Sequence, residues 1–173
     1  MICYCDDCQA FGRFLGRRDI TDAWGGTDIF QMAPSQVRFE DAQTLDCIRL
    51  SEKGMYRWSC RECKTPVGNT MGPRVPFVGL IHSIMDHTAI GLPRDELVGA
   101  PLGYMHTRSA QSGGPPHAER KLRAIGRSVR KLAHWWLTGA GSPSPFFDTT
   151  TRAPQVVPRV LGVDERRALA TKP

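Results

Sequence analysis

Cysteines are the residues of this 173-residue chain whose spacing most clearly suggests chemistry. Cys3, Cys5 and Cys8 form a CxCxxC cluster, and Cys60 and Cys63 form a second CxxC pair. Zinc takes four tetrahedral thiolate or imidazole ligands, and a CxxC turn can point both of its sulfurs at one ion. One CxxC pair is a weak signal, but two pairs with a third cysteine beside the first are a strong one. The sequence therefore predicts zinc binding by these five cysteines.

Two other uses of cysteine fit the pattern less well. A redox CxxC motif usually lies at the start of a helix in a βαβ setting, and the sequence pattern does not predict that setting here. Cys47 lies among Leu45, Ile48 and Leu50 in a predicted strand. A free cysteine in such a place packs as a small apolar residue, so we interpret Cys47 as part of the core.

Short strands and turns are predicted around the cysteines. The chain contains 17 Gly and 13 Pro, so long helices are not expected before residue 116. Apolar residues at helical spacing in 11–15 predict a short helix behind the first cluster. Strands are predicted at 28–32, 36–40, 45–50, 55–60 and 75–81. A hairpin turn at 51–54 would deliver Cys60 to the end of a strand, where the second pair could bind one metal ion.

A Gly-Gly-Pro-Pro break at 113–116 separates two predicted regions. They are a zinc-binding β domain, 1–112, and a basic extension, 113–173, packed on it. The extension begins with an amphipathic helix at about 117–138 and continues as a Pro-rich tail. The helix carries an apolar arc formed by Leu122, Ile125, Val129, Leu132 and Trp136. Its opposite side is basic and is formed by Arg120, Arg123, Arg127, Arg130 and Lys131. We expect the apolar arc to pack on the sheet, Phe146 and Phe147 to pin the tail, and a last helix to begin near Asp164.

The net charge of +6 is concentrated in the extension. Residues 1–116 contain 12 Lys and Arg against 13 Asp and Glu, a net charge of −1, whereas residues 117–173 contain 11 against 4, a net charge of +7. An anionic partner would therefore contact the extension. The N-terminal sequence has no signal-peptide pattern, and no apolar stretch approaches the roughly 20 residues of a membrane span. We therefore expect a cytoplasmic protein with reduced thiols.

Two segments resemble the motifs of a known family. Cys3-Tyr4-Cys5-Asp6-Asp7-Cys8-Gln9 is similar to the CHCxxCR motif of the glutathione-dependent formaldehyde-activating enzymes and the related centromere protein V. Trp58-Ser59-Cys60-Arg61-Glu62-Cys63-Lys64-Thr65-Pro66 is similar to their FCxxCGTP motif. The resemblance implies a β-tent fold of antiparallel sheets with two zinc sites. In the family one site, usually called catalytic, uses the CxCxxC triplet, and a structural site uses the later CxxC.

The sequence departs from the family in two places, which leaves two ligand arrangements open. The family's upstream CxCG motif has no counterpart here, and Lys64 replaces a glycine. In the family-like arrangement the triplet binds a zinc ion with one open position, and the later pair binds a second, incompletely ligated ion or none. In the compact arrangement Cys5, Cys8, Cys60 and Cys63 close one structural four-thiolate site.

Two functions follow from these arrangements. An open triplet site, by resemblance, implies carbon–sulfur lyase chemistry on thiol–aldehyde adducts, with a small thiol such as glutathione as partner. A closed site implies a non-catalytic module whose basic helix contacts protein, nucleic acid or anionic membrane. We interpret His82, His87 and His106 as ordinary surface or packing histidines.

Overall fold

The computed structural model of the chain describes residues 1–86, 90–111, 113–115 and 121–170. Its strands are β1 (Ile2–Cys3), β2 (Thr27–Met32), β3 (Leu45–Arg49), β4 (Tyr56–Cys60), β5 (Pro66–Thr70), β6 (Val78–Ile81), β7 (Tyr104–Met105) and β8 (Arg159–Val160). Its α-helices are α1 (Asp6–Leu15), α2 (Arg94–Val98), α3 (Lys121–Leu137) and α4 (Val163–Ala170), and short 3-10 turns occupy Arg18–Ile20, Pro34–Gln36, His82–Ile84 and Thr107–Ser109.

All eight strands belong to one sheet, in the order β7-β1-β2-β6-β5-β4-β3-β8. The inner pairs are antiparallel, but β1 pairs with β7 in parallel and β3 pairs with β8 in parallel. The prediction of a mainly β fold is confirmed, whereas the prediction of wholly antiparallel sheets is wrong. Parallel neighbours need a long connection between them, and both edge strands arrive from distant segments of the chain.

Two apolar clusters cover the two faces of the sheet. One joins α1 to β3 through Phe11, Leu15 and Ile48, and Leu169 of α4 packs against it. The other is centred on Trp58 and includes Cys47, Phe146 and Phe147. Cys47 is fully buried, so its interpretation as a core residue is confirmed, and so is the pinning of the tail by the two phenylalanines. The division of the chain near residue 112 stays a prediction.

Several predicted elements appear with shifted bounds. The helix behind the first cysteines, the strands at 28–32, 45–50 and 55–60, and the last helix are all present. The strand predicted at 75–81 begins only at Val78, because Pro76 has no N–H to donate to a neighbouring strand.

The strand predicted at 36–40 is wrong. A 3-10 turn occupies Pro34–Gln36, and residues 37–40 that follow it are not assigned to a strand. Val37 and Phe39 pack against the Trp58 cluster without pairing to a strand. Their alternation therefore reflects burial beside the sheet.

Helix α3 packs differently from the prediction. Its bounds agree with the predicted helix from residue 121 onward, and residues 117–120 lie outside the described part of the chain. Ala124 is buried, whereas Leu122 and Trp136 of the predicted arc are 87% and 71% exposed. The prediction that the apolar arc packs on the sheet is therefore wrong. Small side chains on another side of the helix approach the sheet instead, since they allow close contact.

Among the described residues, no helix combines the length and the apolar character that a membrane span needs.

Candidate metal centre and its cavity

The first cysteine cluster forms where β1 leads into α1. Cys3 lies at the end of β1, which is held on both sides by pairing with β2 and β7. Tyr4 is buried and its hydroxyl donates to Asp22 Oδ2 at 2.9 Å. The ring of Tyr4 packs on Gly26, where a Cβ would lie 2.5 Å from Tyr4 Cε1. This anchoring fixes the residue between the first two cysteines.

The helix start brings the other two sulfurs to Cys3. Cys5 is the N-cap of α1, and the N–H of Cys8, in the first turn, donates to Cys5 O at 3.0 Å. The sulfurs of Cys3, Cys5 and Cys8 all lie within 4.8 Å of one another. Cys8 is buried and the other two are half-buried. The predicted triplet is therefore a three-sulfur cluster at a helix N-terminus, whose dipole favours thiolates.

Hydrogen bonds among the three thiols distribute their charge unequally. Bonds from Cys3 and Cys8 hold the pKa of the Cys5 thiol far below its ordinary value. The bonds that Cys3 makes to Cys5 and Cys8, together with burial, raise the pKa of Cys3. One negative charge is thus held at Cys5 and stabilised by two neighbouring thiols. A metal cation that replaced those protons would satisfy all three sulfurs as thiolates.

Gln9 ties the cluster to a distant loop. Its Nε2 donates to Tyr4 O at 2.8 Å and to Ser109 O at 2.9 Å, while its Oε1 accepts a hydrogen bond from Gln111 Nε2 at 2.7 Å. Gln9 is itself buried. The loop after β7 is therefore fixed against the cluster, and this loop carries His106.

A cavity of about 340 Å³ opens beside the three sulfurs. Its lining consists of Met1, Cys3, Cys5, Asp7, Cys8, Ile29, Gln31, Met55, Arg57, Asn69, Met71, Phe77, Gly79, Met105, His106, Ile125, Ser128, Val129 and Leu132. The cysteines form one wall, residues of β2, β4, β5 and β6 form the floor, and α3 forms another wall. The structure therefore places the cysteine triplet at a half-open cavity large enough for a small molecule.

Arg57 supplies a buried positive charge on the floor. Its side chain is 3% exposed, and Nη1 donates to Asn69 Oδ1 at 3.2 Å. Nη2 lies 3.8 Å from Asp7 Oδ2, and the guanidinium carbon lies 5.5 Å from the centre of the Phe11 ring. Arg57 Nε has no hydrogen-bond partner among the described residues. An arginine so placed can stabilise an anion in the cavity.

The second cysteine pair lies apart from the first. The N–H of Cys63 donates to Cys60 Sγ at 3.5 Å, so the pair forms the predicted turn. Thr65 lies beside this pair, with its Oγ1 3.1 Å from Cys63 Sγ. The same oxygen lies 3.4 Å from Arg17 Nη1. Arg17 follows the C-terminal end of α1, whereas the cysteine triplet lies at the N-terminal end. A helix of ten residues is about 15 Å long, so the length of α1 separates the second pair from the triplet.

The structure consequently does not bring together the four sulfurs of the compact arrangement. Among the described residues, the group of three or more metal-ligating side chains is Cys3, Cys5 and Cys8, and it includes neither Cys60 nor Cys63. Metal binding by the Cys60–Cys63 pair stays a prediction.

Several lining residues were not identified from the sequence. His106 was interpreted as an ordinary histidine, yet it lines the cavity with a left-handed backbone, φ 57°. Arg57 lies between Tyr56 and Trp58 in a strand, where successive side chains point to opposite faces of the sheet. This alternation indicates that Arg57 faces away from the side occupied by Tyr56 and Trp58. His82 is buried, with Nδ1 3.4 Å from Asp28 Oδ2, as expected of a packing histidine, and His87 lies outside the described residues.

Comparison with known proteins gives a family without an activity. A family model described as a family of unknown function, DUF6151, matches residues 1–154. Comparisons with curated proteins and with solved structures gave no match.

Proposed function

Since the chain belongs to the DUF6151 family, whose function is unknown, we propose a function from the geometry of its site: a zinc-dependent carbon–sulfur lyase acting on thiol–aldehyde adducts. One observation carries the proposal. The sulfurs of Cys3, Cys5 and Cys8 lie within 4.8 Å of one another on the wall of a cavity whose floor contains the buried Arg57. Three ligands beside a cavity are typical of a catalytic zinc site, because the fourth position is open to substrate.

The donor set fits zinc. Tetrahedral coordination at the usual zinc–sulfur distance of about 2.3 Å puts the sulfurs about 3.8 Å apart, which the cluster reaches with small side-chain movements. Thiolates favour soft or borderline ions such as zinc over magnesium or calcium. Three thiolates also lower the Lewis acidity of the ion. Zinc so ligated would favour the thiolate form of a thiol substrate rather than generate hydroxide.

The residues of the chain suit the cleavage of such an adduct. In a hydroxyalkyl thioether, the carbon–sulfur bond breaks with its electron pair passing to sulfur, and the hydroxyl group loses its proton as the carbonyl forms. The products are a thiol and an aldehyde, so no oxidant or reductant is needed. Arg57 would stabilise the negative charge that passes between oxygen and sulfur, and Asn69 would hold the guanidinium in place.

The family resemblance supports the same chemistry. The CxCxxC motif at Cys3, Cys5 and Cys8 is the one whose zinc is usually called catalytic in the formaldehyde-activating enzymes. Under this proposal the mixed sheet is a variant of their β-tent, and a small thiol such as glutathione is one substrate to test. Cys60 and Cys63 would bind a second ion only with ligands from elsewhere, so we expect one tightly bound zinc per chain.

Native mass spectrometry tests the proposal on protein purified under reducing conditions. We expect one zinc ion in the wild type, its loss in Cys3→Ser, and its retention in the matched control Cys63→Ser. The wild type should then catalyse exchange between a thiol and formaldehyde, and Cys3→Ser should not. A wild type without zinc, or zinc retained in Cys3→Ser, would contradict the proposal.

A second candidate function is non-catalytic contact with an anionic membrane through α3. The observation that favours it is the exposed apolar side of this helix, which includes Leu122 and Trp136, beside the basic Arg127 and Arg130. Interfacial helices bind membranes in this way. Co-sedimentation with phosphatidylglycerol vesicles, compared with phosphatidylcholine vesicles, tests it. Binding should weaken in Trp136→Ser and stay unchanged in the control Leu92→Ser, and binding to neither vesicle would exclude this function.

A further inference from the structure

The cavity beside the cysteine triplet has apolar and flexible walls. Met55, Met71 and Met105 line it together with Phe77, Ile125 and Val129. Methionine side chains are unbranched and polarisable, so they adapt to the shape of a flexible guest. The walls thus offer a hydrocarbon chain contacts along its length.

Charge is scarce on these walls. Apart from the cysteine thiolates, the described lining side chains with a formal charge are Arg57 and Asp7, whose Nη2 and Oδ2 atoms lie 3.8 Å from each other. Glutathione carries two carboxylates and an ammonium group, and burying them needs matched charged partners. A single arginine that already contacts an aspartate does not provide those partners.

The charged Arg57 lies at one end of the space, while the polar Gln31 and Ser128 near α3 are hydrogen-bonded to each other. Arg57 and Asn69 lie on the floor beside the cysteine wall, whereas Val129 and Ile125 form another wall on α3. A guest with one polar reacting end and one apolar tail matches this separation. Its reacting end would lie at the sulfurs and Arg57, and its tail would lie between the methionines and α3.

We propose that this site takes adducts whose thiol or aldehyde part carries a flexible hydrocarbon chain, in preference to adducts of glutathione. The inference rests on the function proposed above, and it assigns the substrate class of that same site. The reaction is the same cleavage: the electron pair of the carbon–sulfur bond passes to sulfur, and the hydroxyl group loses its proton as the carbonyl forms.

Binding of two homologous series to the full chain tests the proposal by isothermal titration calorimetry. The probes are 1-alkanols and 1-alkanethiols of four, six and eight carbons, with glutathione as the polar competitor. Burial of each methylene should tighten binding about fourfold in both series. Hexanethiol should bind more tightly than glutathione.

Two variants locate the tail. Val129→Asp places a charge on the α3 wall and should abolish the dependence on chain length, while Leu122→Asp on the same helix, outside the cavity lining, should preserve it. Affinity independent of chain length in the wild type, or glutathione bound more tightly than hexanethiol, would overturn the proposal.

The alkanols separate this inference from the metal function, because they need no zinc. A fourfold step per methylene for alkanols in both the wild type and Cys3→Ser supports the apolar cavity, even if the wild type contains no zinc and the proposed lyase function fails.

Discussion

Gln31 and Ser128 join the sheet to helix α3 across the floor of the cavity. Gln31 Nε2 donates a hydrogen bond to Ser128 Oγ at 2.9 Å, and the Ser128 hydroxyl donates to Ala124 O, also at 2.9 Å. Both side chains line the cavity. The bond therefore positions the wall that carries Ile125 and Val129 over the cysteine triplet.

Ser128→Ala should loosen this wall. The variant removes one hydrogen bond that is partly buried, so we expect the free energy of unfolding to fall by about 1 kcal/mol. Urea denaturation measures the loss. Thr138→Ala is the control, because the exposed Thr138 hydroxyl bonds only within its own helix end, to His134 O and Trp135 O, and should change stability by less than about 0.5 kcal/mol. Equal losses in the two variants would argue against a special role for the Gln31–Ser128 bond.

The position of α3 shows what the sequence could not predict. Periodicity placed a helix there correctly, because periodicity is a local property. It did not show which side of the helix meets the sheet, since that depends on how closely the backbones approach. Ala124 and Ser128 are small and permit the approach, while Leu122, the more apolar residue, stays exposed.

Only part of the candidate site could be predicted from the sequence. The three sulfurs meet because Cys3, Cys5 and Cys8 are close in sequence, so their spacing was sufficient to predict the cluster. Arg57 and Asn69 reach the site through strand pairing, and β5 was not predicted because Pro66 and Gly68 are poor strand residues. Residues joined by long-range pairing leave no local pattern to read.

Gly79 should be intolerant of any side chain. It lies on the cavity floor, and a Cβ there would be 2.7 Å from Ile29 Cγ2 and 3.1 Å from Phe77 Cζ. Gly79→Ala should therefore lower the free energy of unfolding by about 1 to 3 kcal/mol, measured by urea denaturation.

Gly126→Ala is the matched control for Gly79→Ala. Gly126 lies within α3, and a Cβ there would meet nothing within 4 Å. Alanine is the better helix former, so this variant should raise the free energy of unfolding by up to about 1 kcal/mol. The same sign of change in both variants would contradict the crowding deduced at Gly79.

Arg57→Met should weaken metal binding without removing a ligand. The guanidinium lies beside the cysteines and its positive charge favours their thiolate forms, as its lowering effect on the pKa of Cys5 indicates. Loss of an outer-shell partner that hydrogen-bonds a metal ligand typically costs 10- to 100-fold in metal affinity. Because Arg57 acts on the cysteines through its charge, we expect a loss at the lower end of this range, about tenfold. Competition with a chromophoric zinc chelator measures it. Arg49→Met is the control, because Arg49 contacts the Tyr56 ring and Gly54 O rather than the cysteines, and its zinc affinity should match the wild type.

Cys60 should be alkylated much more readily than Cys47 in the metal-free protein near neutral pH. Hydrogen bonds with Thr44 and from the Cys63 N–H lower the pKa of the Cys60 thiol to about 7, whereas burial raises the pKa of Cys47 to about 12. Only the thiolate reacts with iodoacetamide, so labelling of Cys60 should be slow below pH 6, rise through pH 7 and level off above pH 8.

Thr44→Val removes the largest stabilising bond to Cys60 and should move the midpoint of labelling upward, toward the ordinary pKa of 9.0. Thr65→Val, which alters the neighbour of Cys63 instead, should leave the midpoint in place, and peptide mass spectrometry across the pH series reads both. A midpoint near 9 in the wild type would show that the Thr44 bond does not stabilise the thiolate.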